Sequence, residues 1–250
     1  MYDESEAHSL ALIVLRDIAG VELAKDLMEN YAITDVVDSA VERLRRHEPI
    51  QYIIGWTDFC GLRIKCDQRA LIPRPETEWV LSAGHWPLAV GRILDLGTGT
   101  GCIALALARR FPEAEVIGVD ISDDALALAR ENAVLNGIDN VRFMKGDILQ
   151  LDIEGKFDII ISNPPYITPG EAAEMRRNVM DYEPHGALFV PEGDALVFHR
   201  AIASFAQEHL ADNGMIVMEI NEHLAAETAA LIPSSRIIND QFDHPRFITN

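Results

Sequence analysis

A glycine-rich turn between an apolar strand and a helix constrains this chain most strongly. Residues 92–96 form a short, mostly apolar run, Gly97, Gly99 and Gly101 alternate with threonines, and residues 102–108 are rich in Ala and Leu. Glycines let the backbone turn tightly and approach a ligand closely, and a helix N-terminus presents unpaired N–H groups to that ligand. The pattern predicts a β–loop–α unit with a ligand site at the loop.

The spacing of the glycines narrows the choice of ligand. It is Gly-x-Gly-x-Gly rather than the Gly-x-Gly-x-x-Gly of dinucleotide sites, and no Gly-Lys-Ser/Thr follows, which excludes a Walker loop. Asp95 precedes the first glycine by two residues. An acid at this place disfavours a pyrophosphate and suits an ammonium group. S-adenosylmethionine carries an ammonium and a sulfonium but no phosphate, so the turn favours this cofactor.

Acidic residues also follow the next two predicted strands. Asp120 ends the run 115–120, and Asp147 follows the run 141–145. In a doubly wound sheet, an acid after the second strand accepts hydrogen bonds from ribose hydroxyls, although Asp120 can equally cap the next helix. Asp147 is placed to accept from an adenine amino group, with Ile148 against the ring, although a loop acid can simply be solvated. Three acids at one sheet edge predict this ligand more specifically than any single acid.

A second motif, Asn163-Pro164-Pro165-Tyr166, directly follows the apolar run 157–162. A planar amide or aromatic amine is a poor nucleophile because resonance holds its lone pair. An Asn side-chain oxygen and a backbone carbonyl next to Pro can accept the N–H hydrogens of such a group. The prolines fix the backbone, and the Tyr ring offers a flat face. The motif predicts methylation of a planar nitrogen, with a Pro-rich turn that has no chemistry as the alternative.

The composition indicates a globular chain without metal or disulfide. Of its 250 residues, 48% are hydrophobic, and the longest N-terminal apolar run, 10–15, is too short to span a membrane. Cys60, Cys66 and Cys102 fit neither a disulfide framework nor a zinc site, and the eight His show no metal-binding spacing. We expect a protein of the reducing cytoplasm that binds no metal and no membrane.

The net charge of −19 bears on whether the chain binds nucleic acid. Proteins that grip duplex nucleic acid need clustered Lys and Arg. A local basic cluster consists of Arg43, Arg45 and Arg46, which interleave with Val41 and Leu44 at helical spacing. This pattern predicts the solvent-exposed face of an amphipathic helix. We therefore expect no direct contact with nucleic acid.

The order of predicted elements indicates an α/β fold that follows a helical segment. The segment before residue 48 has helical periodicity, and a β-hairpin with its turn at Gly61 is predicted over 49–66. From residue 91 onward, strands and helices alternate, which indicates a mainly parallel sheet with helices on both faces. Besides the runs above, helices are predicted over 5–19, 21–30, 35–47, from 78, 123–136, 194–209 and 222–231, and strands over 215–220, 236–239 and 247–249.

Three motifs in this order resemble those of the peptide chain release factor glutamine methyltransferases. They are Leu-Ile-Pro-Arg-Pro-Glu-Thr-Glu over 71–78, Asp-Leu-Gly-Thr-Gly-Thr-Gly over 95–101, and Asn-Pro-Pro-Tyr over 163–166, with support from 49–55 and 181–188. The match covers roughly residue 35 to the end. The resemblance implies a class I methyltransferase fold, with a Rossmann-like, mainly parallel, seven-stranded sheet. It also implies a small helical N-terminal domain joined by a β-hairpin. The expected division is a helical substrate-recognition domain 1–48, a hairpin linker 49–70 and a methyltransferase domain 71–250.

The resemblance also implies a reaction and roles for individual residues. A methyl group would pass from S-adenosylmethionine to the side-chain amide nitrogen of the Gln in the Gly-Gly-Gln motif of release factors, in a monomeric enzyme. Asn163 and Pro164 would hold the amide hydrogens, while Pro165 and Tyr166 would pack on the amide plane, so that Asn163, Pro164 and Tyr166 are the catalytic residues. The implied cofactor-binding residues are Asp95, Gly97, Thr98, Gly99, Thr100, Gly101, Asp120, Asp147, Ile148 and Asn163. Arg74 and Glu76 would close over the cofactor or form a surface ion pair.

Three alternatives remain open. An exocyclic-amine methyltransferase acting on adenine or guanine uses the same tetrapeptide, although the acidic composition counts against it. A glutamine methyltransferase for a ribosomal protein is a second alternative, and the loop 73–78 favours the release-factor branch over it. The third alternative is a cofactor-binding scaffold that has lost catalysis. The presence in the sequence of every acceptor that the chemistry needs counts against it.

Overall fold

A computed structural model describes residues 2–18, 35–83, 86–87 and 89–250. The predicted helix 21–30 lies outside the described residues. Within these ranges, no helix combines the length and apolarity needed to cross a bilayer.

A seven-stranded sheet forms the centre of the molecule, in the spatial order β5-β4-β3-β6-β7-β9-β8. All neighbouring pairs are parallel except those of β9, which runs antiparallel to both β7 and β8. The predicted class I methyltransferase sheet is therefore confirmed. Its strands are β3 (Arg92–Leu96), β4 (Glu115–Asp120), β5 (Val141–Lys145), β6 (Phe157–Ser162), β7 (Leu210–Glu219), β8 (Arg236–Asn239) and β9 (Pro245–Thr249).

The order of the strands locates the site. The chain runs from β3 outward through β4 to β5 and then returns to β6 on the other side of β3. The direction of winding changes between β3 and β6, and in open α/β sheets ligands bind at the carboxyl ends of the strands beside such a point. The glycine turn and the Asn-Pro-Pro-Tyr motif each follow a strand at this edge, and Asp120 is the last residue of another.

Helices cover both faces of the sheet. Ile93 packs in a cluster with the residues of helix α5 (Cys102–Arg110), whereas its neighbour Leu94 packs in a second cluster with Ile202 of helix α8 (Val197–His209). This alternation follows from the two-residue period of a strand. The helices that follow the hairpin are α4 (Pro75–Ala83), α5 (Cys102–Arg110), α6 (Asp123–Asn136), α7 (Arg177–Met180), α8 (Val197–His209) and α9 (Ala225–Ala229).

The ends of α6 match the prediction residue for residue. The Ser122 hydroxyl accepts from the N–H of Ala125 at the start, and Gly137 ends the helix with φ of 63°. By contrast, α4 begins three residues earlier than expected, because Pro75 suits a first helical turn, whose N–H groups have no partner within the helix. β7 also begins earlier than its apolar run, at Leu210.

The N-terminal part is helical and has its own small core. Helix α1 (Glu4–Ile13) continues as a π-helical stretch over Val14–Ile18, and α2 spans Asp35–Arg45. Val14, Ala40 and Leu44 form the centre of a cluster that is separate from the two beside the sheet. The division into domains at 48 and 70 stays a prediction.

The prediction that residues 49–55 belong to the hairpin is wrong. Residues Ile50–Ile54 form a short helix, α3, which begins after Pro49 and ends at Gly55 with φ of 84°. The proline fixes its own backbone and the glycine accepts the left-handed conformation that closes a helix, and these effects outweigh the β-branched run. The hairpin itself consists of β1 (Trp56–Phe59) and β2 (Leu62–Lys65), with Gly61 in the predicted turn.

Candidate cofactor and substrate site

The glycine turn crosses the carboxyl ends of β3 and β4. Gly97, Gly99 and Gly101 have φ of 74°, 54° and 82°, in the left-handed region that glycine adopts at little steric cost. The N–H groups of Gly97 and Thr98 both donate to the Val119 carbonyl, at 2.8 and 2.9 Å. These bonds tie the turn to β4, and they leave its outer side facing a cavity.

Gly118, which the sequence analysis did not single out, allows close packing beneath the glycine turn. A Cβ on Gly118 of β4 would lie 2.6 Å from the Phe143 ring and 2.8 Å from the Thr98 hydroxyl. Only glycine lets the ring and the turn approach so closely. A lone glycine inside a strand is the sequence signal that marks such an approach.

Asp95 lies beneath the turn rather than in the cavity wall. It is fully buried, and its Oδ2 accepts from the Thr98 hydroxyl at 2.6 Å and from the N–H of Ala104 at 3.2 Å. Its Oδ1 has no hydrogen-bond partner among the described residues. Burial raises the pKa of this carboxyl to about 7. A cation nearby would favour the charged form.

Asp120 stands at the end of β4 and lines the cavity. Its Oδ2 accepts from the N–H of Gly99 at 2.8 Å, and its Oδ1 accepts from the N–H of Ser122 at 2.9 Å. Because a carboxylate offers about four lone-pair sites, acceptor capacity remains on both oxygens. Burial raises the pKa of Asp120 in spite of these bonds. The predicted alternative, a cap for the next helix, belongs to Ser122 instead.

Asp147 and Ile148 border the same cavity from the loop after β5. Asp147 Oδ1 accepts from the N–H of Leu149 at 2.9 Å, which holds a 3-10 turn over Ile148–Gln150. A Cβ on Gly97 would lie 3.6 Å from Ile148 Cδ1 and 3.9 Å from the carbonyl oxygen of Asn163. The bare glycine therefore leaves space between the turn, the Ile148 side chain and the second motif.

The Asn-Pro-Pro-Tyr motif directly follows β6, beside the glycine turn. The hydroxyl of Ser162, the last residue of β6, donates to the Leu96 carbonyl at 2.6 Å and joins the two strand ends. Asn163 and Pro165 line the cavity, whereas Pro164 is buried and neither it nor Tyr166 belongs to the cavity wall. The Asn163 side chain and the Pro164 carbonyl have no hydrogen-bond partner among the residues described in the structure.

Tyr166 is held by a residue that the sequence analysis missed. Its hydroxyl donates at 2.9 Å to Oε1 of Glu219, a buried residue at the end of β7. The other oxygen of Glu219 accepts from the Thr77 hydroxyl at 2.7 Å. Burial raises the pKa of the Glu219 carboxyl, and burial together with the nearby carboxylate raises the pKa of Tyr166 well above its usual value. An acid at the end of an otherwise apolar strand was the available signal.

Arg74 pairs with Glu183, not with Glu76. Its guanidinium lies 2.7 Å from Oε1 of the buried Glu183 side chain, whose Oε2 accepts from the N–H of Ile72 at 3.0 Å. The alternative of an Arg74–Glu76 ion pair is therefore wrong, because the carboxylate 109 residues away in sequence is the one brought into contact. Arg74 does line the cavity.

The cavity at this edge has a volume of about 440 Å³. Its two arginines are already paired, Arg69 with Asp67 and Glu131, and Arg74 with Glu183. Its acids, by contrast, pair with no basic side chain among the described residues and accept only backbone N–H groups. The wall therefore suits a ligand with positive charge and with hydroxyl and amino donors, and within the described part of the chain it offers no unpaired cation for a phosphate. This set of acceptors fits S-adenosylmethionine.

Most of the residues that were predicted to bind cofactor lie at the cavity wall. They are Gly97, Thr98, Gly99, Thr100, Asp120, Asp147, Ile148 and Asn163.

Comparison with known proteins shows that the chain is similar to methyltransferases. A family model described as a methyltransferase domain matches residues 89–243. A release factor glutamine methyltransferase from Flavobacterium psychrophilum is 41% identical over 93% of this chain and 85% of its own length. A protein of the same name from Bacteroides thetaiotaomicron is 38% identical over 100% of this chain and 94% of its own length.

Solved structures support the fold. The crystal structure of a methyltransferase from Pyrococcus furiosus superposes with a TM-score of 0.57 at 22% sequence identity, covering 76% of this chain and 88% of the other. At this level of identity, the likeness bears on the architecture alone.

Proposed function

The chain belongs to the release factor glutamine methyltransferase family, and we propose that it methylates the Gln of the Gly-Gly-Gln motif in peptide chain release factors. The methyl group passes from S-adenosylmethionine to the side-chain amide nitrogen of that Gln. The observation that carries this proposal is the pair of unsatisfied acceptors in the motif after β6. The Asn163 side chain and the Pro164 carbonyl have no partner in the described part of the chain, and Asn163 borders the cavity beside the glycine turn.

The cofactor is assigned to the cavity by its donors and acceptors. We assign its ribose hydroxyls to Asp120, whose oxygens keep free lone pairs, and its adenine to the edge formed by Asp147 and Ile148. The methionine part would lie along 97–101, beside the N-terminus of α5. Asp95 would attract the ammonium group of the methionine part from beneath the turn, where it is buried.

The residues of the motif prepare the amide for attack. Asn163 Oδ1 and the Pro164 carbonyl accept the two N–H hydrogens of the substrate amide, which turns the face of its nitrogen toward the cavity. Pro165 and Tyr166 pack against the amide plane. When bound, S-adenosylmethionine supplies an electrophilic methyl group. Aligning the nitrogen with that group is the main contribution of the protein, and such alignment accounts for several orders of magnitude in rate.

No general base is required in this mechanism. The neutral amide nitrogen becomes positively charged as it is methylated, and the two carbonyl dipoles are already oriented to stabilise that charge. One N–H proton of the methylated nitrogen is then lost to solvent water. The acceptors are fixed in advance because the proline backbone is stiff and because Ser162 ties the start of the motif to Leu96.

Recognition of the intact release factor is assigned to the helical part before residue 48. No cofactor-binding residue assigned above lies before residue 90, and α1 and α2 surround a core of their own. Deleting residues 1–47 is expected to preserve cofactor affinity and to abolish methylation of the intact factor. Undiminished methylation by the truncated chain would place recognition elsewhere. We expect the enzyme to act as a monomer in the cytoplasm, without direct contact to nucleic acid or membrane.

Intact-mass analysis of a release factor tests the proposed function. Incubation with the enzyme and cofactor is expected to add the mass of one methyl group, and fragmentation should place it on the Gln of the motif. A release factor whose Gln is replaced by Glu is the matched control and should stay unmodified. A ribosomal protein and an RNA, incubated in the same way, test the alternatives. Methyl transfer to either of them, but not to the release factor, would refute the proposal.

A further inference from the structure

Glu219 is a buried acid without an assigned role. It is the last residue of β7, two strands from β3 in the sheet order, and its side chain is 2% exposed. It does not line the cavity. A buried carboxyl group is costly to maintain unless its partners compensate for lost water. The identity of those partners therefore indicates what the residue does.

Both partners of Glu219 belong to the site. Tyr166 of the Asn-Pro-Pro-Tyr motif donates its hydroxyl hydrogen to Oε1 at 2.9 Å, and Thr77 of α4 donates its own to Oε2 at 2.7 Å. Thr77 also lines the cavity. Each hydroxyl has one hydrogen, so each donation fixes the direction of one side chain. A single carboxyl group thus connects Thr77 of the cavity wall to the Asn-Pro-Pro-Tyr motif.

Tyr166 is held through both its side chain and its backbone. Its hydroxyl is bound to Glu219, and its backbone carbonyl accepts from Asn221 Nδ2 at 3.3 Å. The Asn221 amide also donates to Glu171 Oε1 at 2.9 Å. Tyr166 as a whole residue is half-buried, and its hydroxyl end reaches the buried Glu219. Rotation of the ring is therefore restrained from within the protein.

We propose that Glu219 is a positioning residue for methyl transfer, which holds the Tyr166 ring and Thr77 in one arrangement so that the substrate amide meets the cavity at a fixed angle. This inference rests on the proposed function. Without the carboxyl group, the ring can rotate and the amide plane that packs on it shifts. Small displacements of a reacting group lower the rate strongly, so the loss falls on the transfer step rather than on cofactor binding.

Substitutions of Glu219 separate positioning from packing. Glu219→Leu removes both acceptors at similar volume, and Glu219→Gln keeps one acceptor and replaces the other by a donor. We expect the single-turnover rate on a release factor to fall about 100-fold in Glu219→Leu and by a smaller factor in Glu219→Gln. Cofactor affinity, measured by calorimetry, should stay within about twofold in both, because Glu219 does not touch the cavity. If Glu219→Leu does not fold, Glu219→Gln carries the test.

A double variant tests whether Glu219 acts through Tyr166. Tyr166→Phe removes the hydroxyl alone, and the combination of Tyr166→Phe with Glu219→Gln should be no slower than the slower of the two single variants. Independent effects that multiply would overturn the inference. Thr77→Val and Thr228→Val form a matched pair, since both threonines are buried and donate one hydrogen bond. Thr228 donates to the Leu224 carbonyl, and neither of these two residues lines the cavity. Only Thr77→Val should slow transfer.

The outcomes distinguish this inference from the proposed function. If the wild-type enzyme methylates the release factor and folded Glu219→Gln does so at the same single-turnover rate, the inference is wrong and the proposed function stands. If the wild-type enzyme leaves the Gln unmodified, the proposed function is wrong and the inference falls with it. A slower rate at unchanged cofactor affinity, with Thr228→Val at the wild-type rate, supports both.

Discussion

The carboxylate of Asp120 accepts a hydrogen bond of 2.8 Å from the N–H of Gly99. This bond connects the end of β4 with the turn after β3, so that the acid assigned to the ribose also holds the loop assigned to the methionine part. Since Gly99 has φ of 54°, the turn needs both glycine and an acceptor to keep its shape. The two halves of the cofactor site are thus mechanically linked.

Asp120→Ala is expected to weaken S-adenosylmethionine binding by about 1.5–3 kcal/mol, the usual cost of losing hydrogen bonds to a charged acceptor. Calorimetry on the folded variant measures this directly. Asp123→Ala is the matched control, because Asp123 is exposed and, among the described residues, forms an ion pair with Lys145 alone. The affinity of this variant for S-adenosylmethionine should equal that of the wild type. Equal affinities for wild type and Asp120→Ala would remove Asp120 from the site.

Gly118→Ala is expected to destabilise the fold by about 1–3 kcal/mol, because the added methyl group collides with the Phe143 ring and with Thr98. Chemical denaturation measures the free energy of unfolding. Gly170→Ala serves as control, since the nearest atom to its Cβ is 4.0 Å away. A Gly118→Ala variant as stable as the control would show that the packing beneath the turn is looser than described.

Asp95 should make stability depend on pH. Burial raises its folded-state pKa to about 7, from an ordinary value of 3.8. Its contribution to stability is therefore fully present below the unfolded-state pKa, and it is lost as pH rises from about 4 to 7. Asp95→Asn keeps a neutral side chain of the same shape throughout. Relative to wild type, this variant should gain stability by at most about 1.4 kcal/mol per pH unit across that interval.

The measurement is denaturant unfolding of both proteins at several pH values without cofactor. Their difference in unfolding free energy should grow between about pH 4 and 7 and level off above it. A difference that stays constant over the whole range would mean that Asp95 is ionised in the folded protein.

Much of the fold was accessible from sequence because its signals are local. The strand Phe157–Ser162 and the helix Asp123–Asn136 have the predicted bounds, since an apolar run, a Ser cap and a closing Gly determine them within a few residues. Residues 50–54 were mispredicted because a β-branched run lies between Pro49 and Gly55, whose backbone preferences favoured a single helical turn.

The supporting residues of the site escaped prediction for a different reason. Glu183 contacts Arg74 across 109 positions, and Glu219 contacts Thr77 across 142. Such pairs depend on how distant strands and loops meet, and no local pattern encodes them. The motif residues Asn163 to Tyr166 could be recognised because their order is contiguous, whereas the acids that hold them are dispersed.

The single-turnover rate of Asn163→Ala on a release factor tests the central claim most directly. Asn163 borders the cavity, and no hydrogen bond joins its side chain to another described residue, so its amide is available to the substrate. Removing one oriented polar group where charge develops is expected to lower the transfer rate by about 10²-fold or more. The fold and the cofactor affinity should be retained. Asn163→Asp should keep partial activity that varies with pH, because its carboxyl group can be protonated in the pocket. If Asn163→Ala transfers the methyl group as fast as the wild type, the tetrapeptide is only a turn and the proposed chemistry is wrong.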